Sequence, residues 1–192
     1  ISNMIDKVDT IIIGGGMAHT FDAAKGLPIG KSLCEKDKFE EALAQLDKAK
    51  KRGVKVVLPV DLRVADKFAP DANVQIVDVD KVPEDWEALD SGPKTSELYT
   101  EALKGAKTVI WNGPMGVFEF DAFANGTLAV AKAVAEATKN GAISIVGGGD
   151  SIAALKKTGL SDQISHISTG GGATLEFLEG KVLPGIAAIA DK

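Results

Sequence analysis

Short runs of β-branched and aliphatic residues alternate along this chain with longer stretches in which apolar positions return every three or four residues. The short runs predict strands over 10–13, 54–58, 107–111, 142–146 and 164–168, and the longer stretches predict helices over 1–8, 16–25, 36–52, 94–104, 121–139, 150–158 and 172–179. In the helix over 36–52, Phe39, Ala42, Leu43, Leu46 and Ala49 share one face and Gly53 stands where the helix should stop. Strands that alternate with helices predict a parallel sheet covered on both faces. The pattern lapses from about 62 to 92, where alternation in Val74–Val79 predicts a locally paired strand and Pro83-Glu84-Asp85-Trp86 a turn.

The strand ends carry the chemistry. Thr10–Ile13 runs into Gly14-Gly15-Gly16, and Thr108–Trp111 into Asn112-Gly113-Pro114-Met115-Gly116. Ile145-Val146 runs into Gly147-Gly148-Gly149-Asp150-Ser151, and Ile164–Thr169 into Gly170-Gly171-Gly172. In a parallel sheet such strand ends lie along one edge, the edge where ligands bind. Glycines let a backbone approach a ligand closely, and a helix that begins at once points free N–H groups at an anion. A carboxylate at such a place repels phosphate unless a cation lies between them. Asp150 therefore predicts a Mg²⁺ ligand in a metal-nucleotide site, while an ordinary helix N-cap is the alternative for the same residue.

Composition narrows the partners. The 192 residues are 45% hydrophobic and only 5% aromatic, enough for one sizeable and mostly aliphatic core. With 22 basic and 27 acidic residues the formal net charge is -5, and no long basic run occurs, which argues against nucleic acid as a partner. An acidic chain that binds phosphates must use backbone N–H groups and a metal, or borrow cations from elsewhere. A lone Cys34 excludes an internal disulfide framework and fits a reducing cytosol. No apolar run of about 18 residues and no signal peptide is found, so a soluble, cytoplasmic protein without membrane partners is expected.

Familiar nucleotide motifs fail. The sixth position of G-x-G-x-x-G is His19 after Gly14, Ile152 after Gly147 and Leu175 after Gly170, so the dinucleotide fingerprint is missing and an oxidoreductase is disfavoured. Gly26-Leu27-Pro28-Ile29-Gly30-Lys31-Ser32 imitates a phosphate-binding loop but is one residue too short and follows a helix, which makes it a plain helix-to-helix connection.

A set of longer motifs resembles a known family. Gly14-Gly15-Gly16-Met17-Ala18, Leu58-Pro59-Val60-Asp61, Leu89-Asp90-Ser91-Gly92-Pro93, Trp111–Glu119, Gly147-Gly148-Gly149-Asp150 and Ser165–Ala173 are similar to segments of phosphoglycerate kinase, in the family's order and over essentially the whole chain. The match is to the carboxy-terminal, nucleotide-binding half. The resemblance implies an α/β fold, a three-layer Rossmann-like parallel sheet with helices on both faces, with residues 1–192 forming one nucleotide-binding domain.

It also implies roles. Glu119 holds the ribose hydroxyls, for which a carboxylate is a good double acceptor. Gly15, Gly16, Ala88, Leu89, Pro114 and Val117 wall the adenine, Ala88 standing where the family usually has glycine. Leu89 is equally readable as core. Asn112 approaches the phosphates through its amide, although Asn before Gly is also a common turn former. Gly147, Gly148, Gly149, Asp150 and Ser151 take the phosphates and Mg²⁺. Gly170, Gly171 and Gly172 meet the phosphoryl group in flight, with Ser168 and Thr169 capping that helix, and their fixed dipoles suit charge spread over three oxygens. His166 is expected at an interdomain contact and not as a general base. His19, where the family often has an aromatic, and Cys34 are expected to pack or lie at the surface.

The implied reaction is 1,3-bisphosphoglycerate + ADP ⇌ 3-phosphoglycerate + ATP, a glycolytic phosphoryl transfer by a monomeric parent, with Mg²⁺ as cofactor and ADP/ATP as substrate. In the family, a strand with two lysines precedes the position of Ile1, and an amino-terminal half holds 3-phosphoglycerate or 1,3-bisphosphoglycerate. The chain begins within a helical pattern, so the expectation is a fragment lacking that first strand and that half, with an open sheet edge and no turnover of its own. The alternative is a Mg-nucleotide-binding module without activity.

Overall fold

The computed structural model describes residues 1–189 and has an α/β architecture. Parallel strands β1 (Thr10–Ile12) and β2 (Lys55–Val57) pair in register from Thr10↔Lys55 to Ile12↔Val57. Strands β6 (Thr108–Asn112), β7 (Ile143–Gly147) and β8 (His166–Ile167) form a second parallel set with β7 in the middle.

Helices flank these strands because successive side chains on a strand point to opposite faces. On one face Ile11, Ile13 and Val56 join Ala18 and Phe21 of α1 (Gly15–Ala24) and Ala42 and Leu46 of α2 (Phe39–Arg52). On the other, Ile12 and Val57 meet Tyr99 and Leu103 of α3 (Pro93–Leu103) and Val130 and Val134 of α4 (Asn125–Lys139), with Val109, Trp111 and Val146 in the same cluster. Leu155 of α5 (Gly149–Thr158) closes that layer. Ile110 and Ile143 remain exposed on the opposite face of β6 and β7. Gly53 ends α2 in a left-handed turn, as expected. Two short helices follow β8, α6 (Gly172–Leu178) and α7 (Pro184–Ala187). No helix of the described residues is long and apolar enough to cross a membrane.

Three sequence expectations need correction. The helix expected over 1–8 is a single 3-10 turn at Met4–Asp6, with Ile5 buried and the N-terminal residues tied through Asp6 to Lys48 and Arg52. The helix expected over 121–139 is a 3-10 turn at Asp121–Phe123 followed by α4, broken where Phe123 turns fully inward. The stretch from 62 to 92 is a three-stranded antiparallel sheet. Its middle strand β3 (Asp61–Ala65) pairs with β4 (Val74–Asp78), as local pairing of that run required, and with β5 (Glu87–Ser91). Strands β3 and β5 are buried on both faces and so do not alternate, which hides them from a periodicity of two.

The sheet is locked to α3 by one carboxyl group. Gly92 precedes α3 and offers no side chain to cap it. Asp61, 1% exposed at the start of β3, supplies the cap from a distance: its carboxyl oxygens accept from the N–H of Lys94 at 3.1 Å and of Thr95 at 2.7 Å. The Thr95 hydroxyl in turn accepts from the N–H groups of Val60 and Asp61, both at 3.0 Å. Replacing Asp61 by Ala orphans one buried and one half-buried helix donor, and a loss of about 3 kcal/mol is expected. For a chain of this size that lowers Tm by about 6–12 °C in a thermal melt.

Candidate functional site

Three chain segments that are distant in sequence enclose a cavity of about 450 Å³. Gly14, Gly15 and Gly16 come from the turn between β1 and α1, Ala88–Ser91 from β5, and Asn112–Val117 from the loop after β6. Leu33, Leu62 and Phe68 complete it. Gly15 has φ +60°, and a Cβ there would stand 2.9 Å from the Pro114 carbonyl oxygen, so only glycine lets these two backbones meet. The walls are mainly apolar with a few backbone polar groups, the surface a flat heteroaromatic ring requires.

Two titratable residues of the cavity, Asp90 and His19, are buried, while Asn112 at its edge is exposed and Glu87 half-buried. Asp90 is 3% exposed, and its carboxyl accepts from the N–H of Ser91 at 2.9 Å and of Gly126 at 3.0 Å, which ties β5 to the start of α4. Burial outweighs those bonds and pushes its pKa up to about 7. His19, 6% exposed, lines the wall with an unpartnered Nδ1, and burial lowers its pKa to about 4, so the ring is neutral. One turn along α1, the buried Asp22 carboxyl has no partner among the described residues and is pushed up to about 6 by the same cause.

Beside the cavity lies a second feature, the N-terminus of α5. Gly148 is its N-cap with φ +88°, and Asn112 Oδ1 lies 3.1 Å from the place of its missing Cβ. Asn112 thus stands at both the cavity and the glycine turn. Buried Ser151 accepts from the Gly113 N–H at 2.6 Å and holds the two loops together. The alternative reading of Asp150 as N-cap is corrected, since the cap is Gly148 and Asp150 falls in the first turn, exposed and making no capping bond. Its carboxylate is free to face an approaching cation.

Of the other expected site residues, Gly15, Gly16, Ala88, Leu89, Asn112, Pro114 and Val117 all line the cavity. Leu89 is at once core and wall, 5% exposed against Phe123. Glu119 stands between Phe118 and Phe120 in sequence. It projects from the tip of a tight turn in which the Phe120 N–H bonds the Val117 carbonyl, and it is exposed while Phe118 packs inward. Gly147 reaches α6, where Thr174 Cγ2 stands 3.2 Å from the place of its missing Cβ. Gly170, Gly171 and Gly172 open α6 on that side, and the Ser168 hydroxyl accepts from the Gly170 N–H at 3.3 Å. His166 is exposed on β8, and Cys34 is half-buried.

Leu33, Phe68, Asp90 and His19 belong to the cavity and were not anticipated in it. Leu33 and Phe68 are exposed apolar residues in irregular connections, 78% and 59% accessible, and periodicity is blind to such positions. The signal available was Phe68 itself, an aromatic between polar residues in a loop, which the structure sets 5.3 Å from Phe120. Ser32, at the end of the false phosphate loop, is buried and accepts from the Ala88 N–H at 2.9 Å. That loop supports the wall and touches no phosphate turn.

The Asp90 carboxyl has a defined pH consequence. Its folded pKa lies above the unfolded one, so its contribution to stability is full below about pH 4 and is lost as pH rises toward 7. His19 works in the opposite sense, losing its contribution as pH falls below about 6.5. A carboxyl-carbon titration should therefore find Asp90 half-ionised near pH 7. Asp90→Asn should flatten the fall in unfolding free energy between about pH 4 and 7 relative to the parent protein. A titration of Asp90 near pH 4 contradicts this.

The family whose description is phosphoglycerate kinase matches residues 1–181 of the chain. A curated phosphoglycerate kinase of Nostoc punctiforme is 59% identical over 191 residues, covering 100% of this chain and 48% of its own length. That of Synechococcus sp. (strain JA-3-3Ab) is 56% identical, covering 100% of this chain and 46% of its own length. The solved phosphoglycerate kinase of Coxiella burnetii superposes with a TM-score of 0.92 at 50% identity, over 96% of this chain and 47% of that one. The enzyme of Pyrococcus horikoshii OT3 gives a TM-score of 0.74 at 34% identity, over 97% and 47%. The chain thus spans about half the length of the curated relatives it matches.

Proposed function

The chain belongs to the phosphoglycerate kinase family, and from that premise we propose that it is the carboxy-terminal, nucleotide-binding domain of an enzyme that transfers a phosphoryl group between 1,3-bisphosphoglycerate and ADP. The observation that carries this reading is the junction at Asn112, where an apolar cavity sized for a base adjoins the glycine-opened N-terminus of a ten-residue helix. A nucleotide has that same division, an apolar ring at one end and phosphates at the other.

In this reading adenine lies in the cavity between Gly15, Gly16, Ala88, Leu89, Pro114 and Val117, joined by Leu33 and Phe68. The Ala88 methyl narrows the slot. Glu119 accepts the ribose hydroxyls from its exposed position. The free N–H groups of Gly149, Asp150 and Ser151 at the start of α5 receive phosphate oxygens. Gly170, Gly171 and Gly172 line the path of the transferred group from the α6 side. Phosphoryl transfer of this kind requires little covalent chemistry from the protein, so these residues act by positioning and by fixed dipoles. Exposed His166 has no proton to move in that scheme. The acid substrate belongs to the other half of the family's length.

Asp150 suits Mg²⁺. Among the described residues no group of three His, Cys, Asp or Glu side chains could cage a metal, and Mg²⁺ in nucleotide sites is typically held by one or two carboxylates with the phosphates. Bound there, the ion would neutralise phosphate charge beside an acidic chain.

Calorimetric titration of ADP tests the reading. Asp150→Ala should weaken binding about tenfold in the presence of Mg²⁺ and barely change it without, because the lost contact is carboxylate to metal. Equal losses in both titrations contradict the metal role. A complex with the base outside the Gly15–Pro114 cavity contradicts the whole placement.

A further inference from the structure

The turn that presents Glu119 is not held by its own residues alone. Lys157, in the last turn of α5, crosses to it: Nζ donates to the Phe118 carbonyl at 2.8 Å and to Asp121 Oδ1 at 2.7 Å, and reaches the Glu119 carbonyl at 3.4 Å. An ammonium has three donors, and here they converge on Phe118, on Glu119 itself and on Asp121 two positions further on. The Glu119 side chain is left outside this set and is exposed.

Lys157 and the phosphate turn share one helix. From Gly149 to Lys157 the rise is about 12 Å, so α5 presents its N-terminal donors at one end and grips the Glu119 turn from the other. The same helix is fixed to the cavity loop through Ser151 and Gly113. A rigid rod tied at both ends sets the separation of whatever the two ends hold. Without Lys157, the turn from Val117 to Asp121 keeps the backbone bonds of Val117, Phe118 and Phe120 and the packing of Phe118 and Phe120, and it loses the only side-chain hold on the Phe118 and Glu119 carbonyls among the described residues.

We propose that Lys157 is a positioning residue for the nucleotide sugar: through its hold on Phe118, Glu119 and Asp121 it sets the Glu119 carboxylate at the reach of the ribose hydroxyls, in register with phosphates on α5. The inference rests on Glu119 as the ribose acceptor and adds a residue that touches no part of the ligand. Lys157 acts on one ligand feature only, the vicinal hydroxyl pair. A surface tether that merely stabilised the domain would affect all nucleotides alike.

The test is the affinity of the full-length protein for ADP and for 2′,3′-dideoxy-ADP, measured for the parent, Lys157→Met, Lys157→Arg, Glu119→Gln and the Lys157→Met/Glu119→Gln pair. Lys157→Met should weaken ADP about tenfold and change dideoxy-ADP by less than about twofold, the latter also showing that the variant is folded. Lys157→Arg, which can still donate to the carbonyls, should recover most of the loss. The double variant should bind ADP no more weakly than Glu119→Gln alone, because both act on one contact. Equal weakening of both nucleotides by Lys157→Met, or no weakening of ADP, overturns the inference while Glu119→Gln remains selective for ADP. If Glu119→Gln fails to distinguish the two ligands, the ribose reading itself falls, and the inference with it.

Discussion

The loop from Asn112 to Val117 is the part on which the site depends, because its backbone is bonded to almost every element around it. Gly113 donates to Ser151 of α5 and accepts from the Trp111 indole, Met115 donates to Thr127 of α4, and Val117 donates to Leu89 of β5. Pro114 closes against Gly15 at the start of α1. One irregular stretch therefore gathers α1, α4, α5 and β5 around a common point. Loops are usually the variable and mobile parts of a fold. This one is the junction at which two sheets and three helices agree on their relative positions.

The electrostatics follow from that enclosure. The chain is acidic overall, and it keeps three carboxyl groups, Asp22, Asp61 and Asp90, under or beside the cavity. Asp61 and Asp90 are answered by backbone donors at helix starts, whereas Asp22 is answered by none among the described residues. Two of the exposed cations are engaged on the chain itself, Lys94 with Asp78 and Lys157 with the Glu119 turn.

Much of the fold was legible from periodicity. The parallel strands and α1 to α5 show either a compact apolar run or a 3.6-residue repeat, and glycines follow every parallel strand but β2. The misses share a cause. Strands β3 and β5 are buried on both sides and carry Asp61, Asp90 and Ser91 inward, so neither alternation nor hydrophobicity announces them. The cavity was legible wherever a motif carried it, as at Gly15, Asn112 and Pro114. It was illegible where a residue contributes only by lying in the right place after folding. Leu33 and Phe68 are of that kind, as is Ser32, whose hydroxyl supports Ala88 from 56 positions away.

The order in which the cavity is assembled has a consequence for the chain as it is made. Its walls come from residues 14–16, 88–91 and 112–117, so no pocket exists until Val117 has joined Gly14. The Thr127 anchor for Met115 arrives later still. On a ribosome adding about 5–20 residues per second, the emerging polypeptide must pass roughly 5–20 s between releasing its first wall and receiving its last. The nascent segment must keep the apolar stretch at Ile11–Ile13 covered by local partners such as Phe21, Ala42 and Val56 until the remaining walls arrive.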